Sequence, residues 1–243
     1  MNGEKPYRYN PTYGFGLNGQ RKSSAYNVYN KPQLSLNHLW QINDKSSLST
    51  ALYASIGRGY GYSGQGLTGA DRSNWYGSNS GKLNMTFRKA DGTFAYDEIY
   101  ALNEASENGS VMAMSKSKNF HNWYGLLSTY TTKIGDYFDF YGGIDYRYYK
   151  GTHTNELVDL YGGDFYVDSS SRTNVLTSNN AAAAAGSAFV NQKLKVGDVV
   201  YRDYDGYVMS EGVFAQGEYN RDKLSAFISG SVSNTCLLYT SPS

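Results

Sequence analysis

Few side chains in this sequence have the types and spacing that chemistry needs. Three histidines, His38, His121 and His153, lie far apart, and none has the close second histidine that a zinc site would use. Asp203 and Asp205 precede Gly206 as in the start of a calcium loop, but the later acidic ligands are missing and they read as turn residues at a strand entry. The run GSNSG at residues 77–81 lacks the GxSxG spacing of a nucleophile elbow. One stretch, DLYGGDFYVD at 159–168, interleaves carboxylates with aromatic rings. Asp159, Tyr161, Asp164, Phe165 and Tyr166 are therefore the candidate contacts for a glycan, peptide or metal chelate. No catalytic, metal or cofactor-binding residue is assigned, and no cofactor is expected.

These residues must be held by some framework, and hydrophobic periodicity supplies it. Residues 120–150 read as an antiparallel hairpin turning at Ile134-Gly135-Asp136, each arm about a dozen residues long. Phe138, Phe140, Ile144, Tyr146 and Tyr148 fall on one face of its second arm, with Asp139, Asp145 and Arg147 on the other. A second hairpin spans 33–62, with Leu34, Leu36, Trp40, Ile42, Leu48, Leu52, Ala54 and Ile56 on one face, His38 among them, and turn residues at 43–46. A third spans 207–234: Met209, Val213, Ala215 and Tyr219 share a face in one arm, and Leu224, Ala226, Ile228 and Val232 in the other, with Phe227 the exception.

The connections differ in kind. Within hairpins they are tight turns; between hairpins they are long insertions at about 63–119 and 151–205. The first should hold a small hairpin turning at Asp91-Gly92 and a helix over 96–107; the second, a polar tract at 168–180 and an alanine run at 181–185 suited to a short helix. Residues 7–30 read as loop with one short strand.

Composition agrees with an all-β chain: 16% aromatic residues, 25 Tyr, 27 Gly and only 4 Pro. A net charge of +1 gives no electrostatic reason to bind nucleic acid. No apolar run is long enough for a spanning helix, whereas a transmembrane barrel alternates polar and apolar residues and is compatible with the negative mean hydropathy. Uniformly long strands, short turns on one side and long loops on the other, and Tyr60, Tyr62, Trp123, Tyr124, Tyr146, Tyr148 and Tyr207 near the loop-side ends favour that barrel over a soluble sandwich. The expected fold is thus a partial antiparallel transmembrane β-barrel of about six long strands in three hairpins. Phe138, Phe140 and Ile144 would face lipid; Asp139, Asp145 and Arg147 would face the lumen.

Taken together, NPTYGFGLNGQ (10–20), KPQLSLNHLWQI (31–42), LYASIGRGYGYSGQG (52–66), HNWYGLLS (121–128), DLYGGDFYVD (159–168) and GVFAQGEYNRDKLSAFISGSVSN (212–234) resemble TonB-dependent outer-membrane receptors. The likeness is greatest to those of Bacteroidetes that carry an upstream carboxypeptidase-regulatory-like domain. It covers 7–235 as one segment of the barrel. The resemblance implies a cell outer-membrane location and energised nutrient uptake. Its partners would be outer-membrane lipid, the plug domain of the same full-length chain, and TonB acting through the part upstream. Two other readings are an adhesin or ligand-binding barrel without transport, and an outer-membrane hydrolase. The start, MNGEKPYRYN, lacks the features of a secretory signal and reads as the interior of a longer protein. Residues 236–243, CLLYTSPS, hold the only cysteine and resemble the translated end of a sequencing adapter; the natural segment is expected to span 1–235 and to continue beyond it.

Overall fold

The computed structural model describes residues 10–76, 78–79, 82–168 and 192–240. The polar tract from 169 on and the alanine run lie outside them. The chain opens with three short strands, β1 (Tyr13–Phe15), β2 (Arg21–Ser23) and β3 (Asn27–Asn30), where loop with one strand was expected. Next come β4 (Gln33–Asn43), β5 (Ser46–Gly66), helix α1 (Gly69–Ser73) and the short strands β6 (Ser78–Asn79), β7 (Lys82–Leu83) and β8 (Phe94–Ala95). Helix α2 (Tyr96–Glu104) falls within the stretch predicted to be helical, and Gly92, at φ 88°, makes the expected turn by donating its N–H to Lys89 O. Then follow β9 (Met112–Ile134), β10 (Phe138–Asp159), β11 (Tyr166–Val167), β12 (Lys193–Leu194), β13 (Val199–Arg221) and β14 (Leu224–Thr240).

The protein is all-β in class, and its main sheet is antiparallel in the order β14-β13-β10-β9-β5, with β4 and β3 sharing the far side of β5. Those two make one broken edge strand. Pro32 has no N–H to offer, although its carbonyl still accepts Ile56 N–H at 3.3 Å. Tight turns lie at one end of the sheet, where Gly135 (φ 63°) and Asp222 (φ 52°) take the left-handed conformation that short hairpins demand. Among the described residues the sheet stays open, with edges at β14 and at β3 and β4.

The strands are longer than the expected dozen residues: 21 in β5, 23 in β9, 22 in β10 and 23 in β13. They run well beyond their apolar stretches, so the insertions shrink to 67–111 and 160–198. A hydrogen-bonded ladder needs only backbone groups, and it continues where the side chains stop alternating. The same holds at the other end of the chain, where residues 236–240 extend β14 and Leu237 pairs with Val208.

The buried core does not lie under the sheet. It gathers where the two insertions meet the strand ends: Trp75, Phe94, Tyr96, Ile99, Met112, Met114 and Tyr161 form one cluster, and Ala113, Leu157, Leu160, Tyr166, Leu194 and Val200 another. Burying each large side chain contributes about 1.5 to 3 kcal/mol, enough to fold the insertions into one cap. Asn103, 1% exposed, holds the cap's backbone. Its amide N–H groups donate to the carbonyls of Met112, Leu160 and Tyr161, and its Oδ1 accepts from Val111 N and Met112 N.

Candidate functional site

The registers bring the apolar faces of all six long strands to one side of the sheet. Across its middle one rung reads His38, Thr50, Ser128, Ile144, Val213 and Val232; the next reads Leu36, Leu52, Leu126, Tyr146, Glu211 and Asn234. Thr50 and Ser128 share a hydrogen bond of 2.9 Å, which satisfies two of the polar interruptions locally. Glu211 is the one carboxylate in these rungs. None of the described residues covers this face: Ile228 is 77% exposed and Leu34 73%.

Aromatic rings bound the apolar band. At the cap end Tyr148 lies 6.5 Å from both Tyr124 and Tyr207, in a row across three strands. At the turn end Tyr137 lies 6.3 Å from Tyr219, with the Arg221 guanidinium over the Tyr137 ring at 5.2 Å. Past the cap-end row the same face changes character abruptly, to Arg58, Lys118, Thr152 and Lys150. Lys150 Nζ lies 2.8 Å from Asp205, and Lys116 and Lys118 share Glu156.

The opposite face is polar, and near the cap it carries a cluster of rings over glycine. The period-two run Gly57, Gly59, Gly61 strips side chains from this face of β5. A Cβ at Gly57 would fall 2.3 Å from the His121 ring, and one at Gly59 1.9 Å from the Tyr29 ring, so both rings lie flat against bare backbone. Tyr29 Oη and His121 Nδ1 are 2.9 Å apart. His121 and Trp123 approach Tyr149 at 5.9 and 6.2 Å. His153 stacks on Tyr204 at 5.0 Å, and its Nδ1 bonds Asn119 Oδ1 at 2.8 Å. Between them a cleft of about 160 Å³ has Gly151 and Gly206 as its floor and Tyr149, His153 and Tyr204 as walls. By sequence spacing alone these histidines stand apart. The glycine alternation in GRGYGYSG was the available signal.

The five predicted contact residues do not form one accessible surface. Tyr161 and Tyr166 are 5% and 2% exposed, so their rings are core, and burial raises both phenol pKa values. Tyr166 Oη donates to Gly66 O at 3.0 Å. Asp159 serves structure too: one oxygen accepts the Tyr161 N–H at 2.8 Å and the other pairs with Lys22 at 2.8 Å. Burial pulls the Lys22 pKa down, yet the hydrogen bonds to Asp159 and Tyr100 outweigh it and the net shift is upward. Asp164 and Phe165 remain at the surface, Asp164 accepting from Lys195 through its carbonyl and Phe165 lying 4.5 Å under the Lys193 ammonium. Asp168, near the cluster, is buried and accepts the Tyr201 N–H at 2.9 Å.

Of the other candidates, His38 stands in the apolar face opposite Thr50. Asp203 and Asp205 lie inside β13 rather than in a turn, because the strand begins at Val199. Of 77–81 only Ser78 and Asn79 fall among the described residues, in β6. No grouping of three or more His, Cys, Asp or Glu suited to a metal ion occurs among the described residues. No protein-family model matches the chain, and neither does any curated protein.

Proposed function

We propose that this chain is part of the wall and outer cap of a TonB-dependent outer-membrane transporter. The observation that carries the reading is the bare apolar face, in register over six strands and bounded by aromatic rows. On β10 it runs from Phe138 to Tyr148, matching the roughly 9 to 11 residues of a tilted transmembrane strand. Monomeric soluble proteins rarely leave contiguous apolar patches beyond a few hundred Å² uncovered, and this band crosses all six long strands. No helix among the described residues is long and apolar enough to cross a membrane, so a crossing here would be made by strands.

In this reading the apolar face meets lipid, the polar face with Asp139, Asp145 and Arg147 lines the lumen, and the cap lies outside the cell. Transport, as opposed to adhesion, is supported by the resemblance of the motifs along 10–234. The transported nutrient would pass the ring cluster of His121, Tyr149 and His153.

Spin labels placed singly along 138–148 in a Cys236→Ser background, with the chain in detergent micelles, test the lipid face. Even positions should be relaxed by oxygen and odd positions by a water-soluble nickel chelate. Equal relaxation by the chelate at both sets would refute the reading. Genomic sequence upstream tests transport: a plug domain supports it, and a signal peptide leading straight into the barrel refutes it.

A further inference from the structure

The change of chemistry at the cap end of the apolar face defines a site of its own. Just past the row of Tyr124, Tyr148 and Tyr207, the outward side chains of β5, β9 and β10 are Arg58, Asn122, Lys150 and Thr152. With Phe120 they line a concavity of about 220 Å³. Arg58 is anchored rather than neutralised. Its Nη1 donates to the carbonyls of Gly57 and His121 at 2.8 and 3.1 Å, its guanidinium lies 5.3 Å over the Phe120 ring, and it has no carboxylate partner among the described residues. Lys150 bonds Asp205 and lies 5.2 Å over the Tyr207 ring, and the Thr152 hydroxyl donates to the same carboxylate. Lys116 and Lys118, on the cap side, divide one carboxylate, Glu156, between them. Asp203 lies farther along β13, away from the apolar band.

We infer that this concavity holds the phosphate of an anionic lipid headgroup, with Arg58 and Lys150 as its cationic contacts, Asn122 as a hydrogen-bond donor, and the lipid's acyl chains lying down the apolar face. The inference rests on that face being lipid-facing. Its argument is positional. A headgroup phosphate lies at the boundary between hydrocarbon and water, the aromatic row marks that boundary, and the two cations stand one step beyond it. Neither cation projects into the apolar band, where a charge would be costly. A phosphate between them would meet one unpaired guanidinium and one ammonium that already has a carboxylate.

The 243-residue chain in maltoside micelles, where the sheet edges can stay wet, provides the test. The micelles carry equal fractions of phosphatidylglycerol and phosphatidylcholine, and native mass spectrometry counts the lipid retained per chain. Phosphatidylglycerol should be retained in preference by about fivefold, the worth of one basic side chain at an anionic membrane surface. Arg58→Gln should bring the ratio close to one, and Lys150→Gln should lower it. Asp205→Asn should raise it, since it releases Lys150, whereas a purely structural loss would lower it. Lys45→Gln, at the opposite end of the sheet, should leave it unchanged. Equal retention of the two lipids by the parent chain, a fall with Asp205→Asn, or an effect of Lys45→Gln equal to that of Arg58→Gln would overturn the inference. So would displacement of the lipid by inorganic phosphate, which would make this a site for the free anion. If no lipid is retained and Trp40 emission is indifferent to micelles, the lipid-facing reading itself fails, and this inference with it.

Discussion

Lys22 Nζ lies 2.8 Å from Asp159 Oδ2 and 4.4 Å from the Tyr161 ring centroid, tying the second strand of the chain to the last residue of β10. The contact closes the cap over the strand ends. Asp159 therefore acts as a structural clasp, although sequence alone cast it as a ligand contact. Both groups keep some exposure, 18% and 33%, so Asp159→Asn should cost about 1 kcal/mol rather than the roughly 3 kcal/mol of a fully buried pair. Urea titration followed by the fluorescence of Trp75, in the cap core, measures it. No change in midpoint would mean that the clasp contributes nothing.

Asn103→Ala should be more damaging. The change takes the side-chain partner from the Met112 and Tyr161 carbonyls and from two N–H groups in a site that is 1% exposed, while Leu160 O keeps its bond from Ser110 Oγ. Each orphaned buried group costs about 1 to 3 kcal/mol, so a loss of about 3 kcal/mol is expected even if water repairs some of them. Amide exchange should quicken at Val111 and Met112 while mid-sheet amides such as that of Leu126 keep their protection. Uniform loss of protection would show that cap and sheet unfold as one unit.

The cap should fail in alkali. Burial raises the phenol pKa of Tyr96 to about 12, and raises those of Tyr161 and Tyr166 further above the ordinary value of 10. The unfolded chain releases these protons first, so stability falls as pH rises past 10. Lys22 acts in the same direction: with its pKa raised above 10.5, its contribution is complete below that pH and is lost as pH climbs through the folded value. Tyr161→Phe should move the alkaline unfolding midpoint upward. Tyr96→Phe has a competing cost, because Tyr96 Oη donates to Thr12 O at 2.6 Å. A midpoint unmoved by Tyr161→Phe would refute the assignment.

How much of this could be read beforehand follows from which groups make each contact. The three hairpins and their faces were legible because period-two alternation is written in side chains such as Phe138, Phe140 and Ile144. The helix at Tyr96–Glu104 was legible by its spacing. The full length of β9 and β10 was not, since beyond Tyr124 and Tyr148 the alternation stops among Lys, Asn and Gly. The strand ends are held by the ladder, by the Lys116 and Lys118 pairs with Glu156, and by packing of Met112, Met114 and Leu157 against the insertions. The burial of Tyr161 and Tyr166 was hidden for another reason. Tyrosine serves cores and binding surfaces alike, and only the packing of the two insertions against each other decides which. Likewise His121 meets Tyr29 across 92 residues, a contact set by register rather than by local pattern.

That contact depends on glycine, and this can be tested. A Cβ at Gly59 would lie 1.9 Å from Tyr29 Cδ2 and 2.8 Å from the Val28 carbonyl, so Gly59→Ala must move the ring and crowd the backbone. The cost should be about 1 to 3 kcal/mol, as for overpacking generally. The Tyr29 to His121 hydrogen bond should break, shifting the His121 Nδ1 resonance in the same sense as Tyr29→Phe does. An unshifted resonance in Gly59→Ala would show that the ring does not lie on this glycine.

The sharpest question is what the apolar face touches, and Ile144 stands in the middle of it. The residue is 48% exposed, between Ser128 and Val213 in its rung, with the aromatic rows well to either side. If lipid or detergent hydrocarbon covers the face, Ile144→Arg places a guanidinium where water is scarce, at a cost of about 2 to 4 kcal/mol. If water covers it, the same change removes an exposed apolar group and should cost almost nothing. The neighbouring residue sharpens the contrast. Asp145 lies on the polar face with its carboxylate bonded to Arg147, so Asp145→Asn disturbs one partly exposed pair and should cost about 1 kcal/mol or less in either environment. Unfolding of the two variants in micelles therefore separates the cases. A large loss for Ile144→Arg with a small one for Asp145→Asn follows from a lipid face, and equal small losses would remove the reason for placing this sheet in a membrane.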